Sequence, residues 1–309
     1  MRIVFLGSGA FALPCFAALL DAGHDVAALV TQPDKERGRG RRLAPPPLKP
    51  AAERRGVPVL QPPRIKDPAA REELRRLSPE LQVVVAYGQI LPRSVIEIAP
   101  RGTVNVHASL LPRLRGAAPI QWAIANGETE TGVTTMLIDE GLDTGPILLA
   151  RPTPIGAEET AADLEPRLAR LGAEVLLETV AGLAAGTLVP RPQDDPRATL
   201  APLLKKEDGR LDWSCPAPAL SRRVRGFHPW PGTYTSHDGR LVKVLRTREE
   251  APGPGEPGVV VSVGRDGLVV GCGDGTRLRL LEVQPENRRA MAASAFVAGA
   301  RLAPGSRFV

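Results

Sequence analysis

Short apolar runs alternate with amphipathic segments along the first half of the chain. Arg2–Leu6 and Val26–Val30 are almost continuously apolar, as buried strands are, and they enclose a helical pattern at Ala10–Leu20. Gln82–Ala86 and Thr103–His107 are two more short runs rich in β-branched residues. This alternation predicts an α/β domain of Rossmann-like type, in which helices cover both faces of a parallel sheet. Further helical patterns lie at Ala69–Leu77, Arg93–Ile98 and Thr160–Ala185.

The pattern changes after residue 188. A proline-rich, aperiodic stretch over residues 189–204 is typical of a linker. Beyond it, short strand patterns separated by glycine-containing turns predict a small, OB-like antiparallel β-barrel over residues 205–309. We therefore expect two domains, 1–188 and 205–309, joined by the linker. The predicted strands of the second domain are Leu241–Arg246, Val259–Val263, Leu268–Gly271 and Arg277–Val283, after a short helix at Leu220–Val224.

Composition narrows the class of protein. A chain of 309 residues with 43% hydrophobic residues suits two globular domains, and no apolar run approaches the roughly 20 residues that a membrane span needs. The N-terminus begins with a strand pattern instead of a secretory signal, so we expect a cytoplasmic protein with no membrane partner. Cys15, Cys215 and Cys272 are widely spaced, and we expect neither a disulfide framework nor a metal site.

Positive charge is concentrated in two regions. The net charge is +6, and between Asp34 and Arg55 eight basic residues face three acidic ones. From Lys205 to the C-terminus there are 17 basic and 11 acidic residues. These regions favour a polyanionic partner such as a nucleic acid, although an arginine-rich proteome would give the same excess.

A glycine-rich turn follows the first strand and imitates a dinucleotide-binding fingerprint. Gly7–Ala12 reads Gly-Ser-Gly-Ala-Phe-Ala, which has the small residues that such a turn needs. The second strand, however, ends in Thr31-Gln32-Pro33 and lacks the acidic residue that would hold a ribose. We interpret the turn as a tight strand-to-helix connection and expect no NAD.

The strongest candidate chemistry lies at the end of the predicted strand Thr103–His107. Asn105 and His107 are two residues apart and therefore project from the same face of the strand. Asp143 lies in a glycine-rich loop further along the chain. An amide, an imidazole and a carboxylate together suit acyl transfer, in which the first two stabilise an oxyanion and the third handles protons. Taken singly, the Asn-x-His pair also fits a packed strand end and the aspartate a turn residue.

Four segments around these residues carry a family resemblance. Residues 105–112 (Asn-Val-His-Ala-Ser-Leu-Leu-Pro) and 115–120 (Arg-Gly-Ala-Ala-Pro-Ile) resemble the signature of the 10-formyltetrahydrofolate-dependent formyl transferases. Residues 139–148 (Asp-Glu-Gly-Leu-Asp-Thr-Gly-Pro-Ile-Leu) resemble the second signature of that family. Residues 84–92 are similar to the strand and loop that cover its pterin pocket. The resemblance extends over nearly the whole chain.

The resemblance implies a role for each candidate residue. Asn105 and His107 would polarise the formyl oxygen, while Asp143 would set the state of His107 and relay a proton. The co-substrate would be 10-formyltetrahydrofolate. The residues expected to contact this folate are Ser109, Leu110, Leu111 and Pro112, with Gln89, Ile90 and Leu91.

The acceptor has to be inferred from other parts of the chain. The basic loop that contains Arg39, Arg41 and Arg42, here called the loop arginines, resembles the insertion by which family members acting on methionyl-tRNA hold the acceptor arm. The resemblance thus implies initiator methionyl-tRNA as partner, a tRNA-binding barrel, and a monomer. Relatives that formylate an amino-sugar nucleotide have a similar C-terminal extension, so that acceptor is the alternative.

Overall fold

The computed structural model describes residues 1–37 and 42–309, with the backbone alone at Arg37 and Arg42. The chain forms two compact units, which are described separately. Unit 1 contains Met1–Pro119, Thr131–Pro154 and Glu165–Ala201, and unit 2 contains Ile120–Glu130, Ile155–Leu164 and Pro202–Val309. The limits 1–188, 189–204 and 205–309 remain a prediction.

The first 185 residues mix helices with strands, and the C-terminal third consists mainly of strands. In chain order the first 185 residues form β1 (Arg2–Gly7), α1 (Leu13–Asp21), β2 (Asp25–Val30), β3 (Lys35–Arg37), β4 (Arg42–Ala44), α2 (Leu48–Arg54), β5 (Val59–Leu60), α3 (Pro68–Arg76), β6 (Leu81–Val85), α4 (Arg93–Ile96), β7 (Thr103–His107), α5 (Pro119–Asn126), β8 (Glu130–Leu137), β9 (Ile147–Pro154) and α6 (Ala161–Ala185). The remaining elements are α7 (Ala217–Gly226), β10 (Thr233–His237), β11 (Arg240–Glu250), β12 (Val260–Gly264), β13 (Gly267–Gly271), β14 (Arg277–Pro285), β15 (Met291–Ala292) and α8 (Ala293–Ala300).

A seven-stranded sheet in the order β5-β2-β1-β6-β7-β8-β9 forms the centre of unit 1. The pairs from β5 to β7 are parallel, as the strand and helix alternation predicts. β8 runs antiparallel to β7, a direction that the apolar pattern of its sequence does not encode. Every residue of β6 is buried, as expected for a strand covered on both faces. The parallel pairing brings the carboxyl ends of β1, β6 and β7 to one edge of the sheet.

Aromatic and aliphatic side chains fill the core of unit 1. Phe5 on β1 and Phe16 on α1 are almost fully buried, and their rings meet edge to face with centroids 5.3 Å apart. Burial of each such side chain stabilises the folded state by about 1.5–3 kcal/mol. This packing holds the first helix against the sheet.

Unit 2 is built on an antiparallel sheet in the order β10-β11-β14-β13-β12, with β15 paired to β14. The C-terminal residues bind both of its edge strands. The amide of Val260 on β12 donates to the carbonyl of Ser306 at 2.8 Å, and the amide of Val309 donates to Ser236 on β10 at 3.0 Å. The chain end thereby bridges the two edges, which is the arrangement that a small barrel requires. The expected fold class, a parallel-sheet α/β domain followed by an antiparallel β domain, is confirmed.

Unit 2 contains a buried tryptophan with a hydrogen-bond partner. Trp213 is buried in its core and donates a hydrogen bond from Nε1 to Thr235 Oγ1 at 3.0 Å. The partner is needed because a buried indole N–H without an acceptor destabilises the fold.

Within residues 1–37 and 42–309, no helix has the length and apolar character to cross a membrane.

Candidate active site

Asn105 and His107 lie within the last three residues of β7. Asn105 lies beside Val84 of the neighbouring strand β6 in the sheet register, and His107 is the final residue of β7. His107 is buried, whereas Asn105 is partly exposed. The predicted spacing therefore places an amide and an imidazole together at the carboxyl end of a central strand, where open α/β sheets bind their ligands.

Asp143 reaches this strand end from the loop between β8 and β9. Its Oδ1 accepts a hydrogen bond from Asn105 Nδ2 at 3.4 Å, and its Oδ2 lies 3.7 Å from His107 Nδ1. The amide of Gly116 donates to the same Oδ2 at 2.8 Å. Asp143 has a φ of 53°, in the left-handed region, which costs a residue with a Cβ about 1–2 kcal/mol. The tertiary structure thus brings together the three residues named from the sequence.

The His107 ring is oriented by a backbone carbonyl. Its Nε2 lies 3.0 Å from the carbonyl oxygen of Leu114. Because a carbonyl oxygen only accepts, Nε2 carries a hydrogen in this arrangement. Nδ1 is then the nitrogen that faces Asp143.

The loop after β7 is held firmly by its own hydrogen bonds. Ser109 is buried, and its hydroxyl donates to the carbonyl of Arg113 at 2.6 Å. The amide of Leu111, also buried, donates to Thr134 Oγ1 at 3.1 Å. Leu110 and Pro112 are partly exposed. Contact of these four residues with a folate remains a prediction, and the Ser109 hydroxyl already has a partner inside the loop.

The three residues predicted to cover the pterin differ in exposure. The side-chain oxygen of Gln89 accepts a hydrogen bond from the backbone amide of Ile65 at 2.8 Å. This bond joins the loop of Gln89 to the segment around Ile65. Leu91 is buried, whereas Ile90 is 93% exposed. Ile90 is therefore the residue of this group that exposes apolar surface.

The loop of Ile90 lies near the loop of Asp143. Arg93 follows Ile90, and its hydrogen bond to Glu97 raises the pKa of its guanidinium. The carboxylate of Glu140, close by in the Asp143 loop, raises that pKa further. Leu142 in the same loop is 64% exposed. Each of the two loops thus carries an exposed apolar side chain.

Residues 191–201, here called the strap, bind both loops of the site. Arg191 and Ile147 exchange two backbone hydrogen bonds of 2.8 Å. The amide of Arg115 donates to the carbonyl of Thr199, also at 2.8 Å. Sequence analysis assigned this stretch to a linker and named no functional residue in it. The structure places this proline-rich segment within unit 1, where hydrogen bonds join it to the rest of the unit over most of its length.

Within the strap, Gln193 was missed by the sequence reasoning. Its Nε2 donates to the carbonyl oxygens of Asp143 and Gly145 at 2.8 and 2.7 Å. Its Oε1 accepts from Arg115 Nε and Nη2 at 3.1 and 2.8 Å. In the sequence Gln193 is a neutral polar residue that follows Pro192 in a proline-rich stretch. Such a residue has no distinguishing pattern, so the sequence gives no usable signal for it.

The other predicted features lie elsewhere. In the glycine-rich turn, Ser8 Oγ accepts a hydrogen bond from the amide of Gln32 at 3.0 Å, so this turn fastens the end of β2. Of the loop arginines, Arg39 and Arg41 lie outside the described residues, as does the side chain of Arg42. Among the residues that the structure describes, no three His, Cys, Asp or Glu side chains form a group that could hold a metal ion.

Comparison with known proteins identifies relatives for both units. The family model described as formyl transferase matches residues 1–180, and the model described as formyl transferase, C-terminal domain, matches residues 203–301. The methionyl-tRNA formyltransferase of Citrifermentans bemidjiense is 52% identical over 305 residues, which cover 99% of this chain and 95% of the relative. That of Solibacter usitatus is 54% identical over 303 residues, which cover 98% and 96%.

A solved structure shows the same fold at low identity. The N-formyltransferase from Helicobacter canadensis, in complex with folinic acid and dTDP-3-aminofucose, matches with a TM-score of 0.68 and 16% identity. The match covers 92% of this chain and 99% of that one. At this identity the likeness concerns the fold alone, and it does not extend to the sugar nucleotide.

Proposed function

Since the chain belongs to the formyl transferase family, we propose that it transfers the formyl group of 10-formyltetrahydrofolate to the α-amino group of initiator methionyl-tRNA. The observation that carries the proposed chemistry is the meeting of Asn105, His107 and Asp143 at one strand end. For the acceptor, the support is the identity of 52% and 54% to methionyl-tRNA formyltransferases over nearly the full chain. An amino-sugar nucleotide is less favoured, because the enzyme bound to one is only 16% identical.

The reaction makes a specific demand on the site. An α-amino group titrates near about 7.7–8.0 in model peptides, so an appreciable fraction is already neutral and nucleophilic at pH 7. Attack on the formyl carbon then needs no strong base. It places negative charge on the formyl oxygen and leaves a surplus proton on the attacking nitrogen. The site must therefore supply oxyanion donors and a proton acceptor.

The three residues fit these roles atom by atom. Asn105 Nδ2 is a neutral donor on the same strand face as His107, whose protonated Nδ1 is the second donor to the oxyanion. Asp143 Oδ2, 3.7 Å from that nitrogen, pairs with the imidazolium and takes up the proton of the amine through water. As the intermediate collapses, the bond between the formyl carbon and N10 of the folate breaks, the formyl group stays on the amine, and the proton taken up by Asp143 passes to N10 of the leaving tetrahydrofolate.

The folate would bind between the two loops next to the strand end. Ile90 and Leu142 offer exposed apolar side chains there, and such surfaces suit a flat pterin ring. Leu110 and Pro112 are the partly exposed members of the loop after β7, so they are the next candidates for contact. We propose 10-formyltetrahydrofolate as co-substrate, with no metal or NAD.

The tRNA would bind through the loop arginines and the basic C-terminal unit. Arginine pairs with phosphates and stacks on unpaired bases, both of which an acceptor arm provides. Charged tRNA is a cytoplasmic substrate, so we place the reaction in the cytoplasm. We expect the enzyme to act as a monomer, and analytical ultracentrifugation would test this.

The proposal is tested by supplying 10-formyltetrahydrofolate and charged initiator methionyl-tRNA to the purified protein and measuring formyl-methionine after deacylation. Uncharged initiator tRNA is the control, and it should take up no formyl group. Formylation of a dTDP-linked amino sugar in place of methionyl-tRNA would support the alternative acceptor. Failure of a folded protein to formylate methionyl-tRNA would overturn the proposed acceptor.

A further inference from the structure

The Asp143 loop depends on contacts from outside itself. Asp143 adopts a left-handed φ, and residues 140–142 of the loop are exposed. Inside the loop, Asp139 Oδ1 accepts hydrogen bonds from Gly141 N and Thr144 Oγ1 at 3.0 and 2.6 Å, but neither bond restrains Asp143 itself. A strained backbone persists only where the surroundings fix it.

Gln193 supplies that restraint from the strap. Its single amide nitrogen donates to the carbonyls of Asp143 and Gly145, one residue on either side of Thr144. Both side-chain hydrogens of the amide are therefore used on the loop. The bonds fix the peptide that carries Asp143 as well as the turn that follows it.

Arg115 fixes Gln193 in turn. Arg115 is buried, with 7% of its surface exposed, and its guanidinium donates two hydrogen bonds, from Nε and Nη2, to Gln193 Oε1. A further bond of 2.6 Å joins it to Asp195, which is 73% exposed. The next residue after Arg115 is Gly116, whose amide binds the Asp143 carboxylate. The buried guanidinium thus supports the contacts to the backbone of the Asp143 loop, while the next residue in the chain binds the Asp143 carboxylate.

We propose that Gln193, held by Arg115, is a positioning residue that sets the Asp143 carboxylate against His107 for formyl transfer. The inference rests on the proposed function, because it assigns Asp143 the role given above. Gln193 does not touch the substrates in this account. It acts only through the loop that it binds.

Turnover by variants at Gln193 tests the proposal. Gln193→Glu keeps an oxygen for Arg115 but places a carboxylate oxygen against two carbonyl oxygens, so it removes only the loop contacts. Gln193→Ala removes both. We expect each variant to lower kcat about 10- to 100-fold, since a misplacement of about 1 Å costs up to about 10² in rate. The KM for folate and for tRNA should change less than about twofold, because Gln193 contacts neither substrate.

Asp195→Asn is the matched control, because it weakens an exposed partner of Arg115 and leaves Gln193 in place. It should retain nearly wild-type kcat. In an Asp143→Asn background, Gln193→Ala should cost little further, since its effect passes through Asp143. A rise in KM with unchanged kcat, or an equal loss of kcat in both backgrounds, would overturn the proposal.

A crystal structure of Gln193→Ala tests the same inference without any acceptor. We expect Asp143 Oδ2 to move out of hydrogen-bond distance of the Gly116 amide, a bond that the Asp195→Asn crystal should retain. An unmoved Asp143 would overturn the positioning role whatever the acceptor is. Absence of methionyl-tRNA formylation by the wild-type protein would instead count against the proposed function. Failure of the positioning role and failure of the proposed function are therefore distinguishable.

Discussion

Replacing Asp143 by asparagine removes a charge and leaves most of the local structure. Asparagine keeps a side-chain oxygen for the Gly116 amide and tolerates the left-handed φ of 53°, but its amide nitrogen then faces Asn105 Nδ2 and loses that long 3.4 Å hydrogen bond. The carboxylate lies 3.7 Å from His107 Nδ1, and the side chains are only 14% and 7% exposed. At an effective dielectric of about 20, this separation corresponds to about 4.5 kcal/mol of attraction to an imidazolium. The remaining amide dipole offsets part of that loss, so we expect kcat to fall by about 10²–10³.

Single-turnover formylation is the appropriate assay, because it separates chemistry from release of the product tRNA. Excess enzyme with saturating 10-formyltetrahydrofolate is mixed with charged initiator methionyl-tRNA, and formyl-methionine is measured over time. Thermal unfolding of Asp143→Asn should match that of the wild type. A loss of less than about tenfold in a variant that unfolds normally would refute the reasoning, because it would show that the charge of Asp143 does not support the reaction.

Three further changes have defined outcomes. Asn105→Ala should lower kcat by about 10²–10³ while the protein stays folded, because it removes one oxyanion donor; near-normal turnover would exclude Asn105 from the mechanism. Changing the loop arginines together to glutamine should reduce the slope of log binding constant against log salt by up to about 2–3 for initiator tRNA; an unchanged slope would exclude them from phosphate contact. Gly145→Ala would place a Cβ 1.8 Å from the Leu137 carbonyl oxygen, so denaturant titration should show a loss of roughly 1–3 kcal/mol. The matched Gly156→Ala, whose nearest neighbour would lie at 3.4 Å, should be nearly neutral, and equal losses would contradict the steric argument.

Local patterns predicted the central strands well. Thr103–His107 has the same limits in sequence and structure, and Arg2–Leu6 differs by one residue from β1. Strands that are buried on both faces are apolar at nearly every position, so a continuous apolar run in the sequence predicts them directly. The strand β5 escaped prediction because Val59–Leu60 is too short to show a period. The terminal helix α8 was missed for a related reason, since its small residues show no clear polar face.

The pairing of strands lies beyond such patterns. A run of apolar residues is the same whether its strand runs parallel or antiparallel, so the reversed direction of β8 follows only from the completed sheet. The role of residues 306–309 in bridging the two edges of the second sheet is likewise a long-range contact. Sequence periodicity reports the exposure of a position and carries no information on its neighbour across a sheet.

The active site shows the same contrast between local patterns, which the sequence predicts, and long-range contacts, which it does not. The sequence alone determined that an amide and an imidazole share one face at the end of β7, since that follows from the two-residue period of a strand. It also supplied, through the family resemblance, the chemistry expected of Asp143. Only the tertiary structure decided where that carboxylate lies, because Asp143 is 38 residues from Asn105 in sequence. Its position is set by Gly116 and by Gln193, whose hydrogen bonds form only after the loops and the strap have packed.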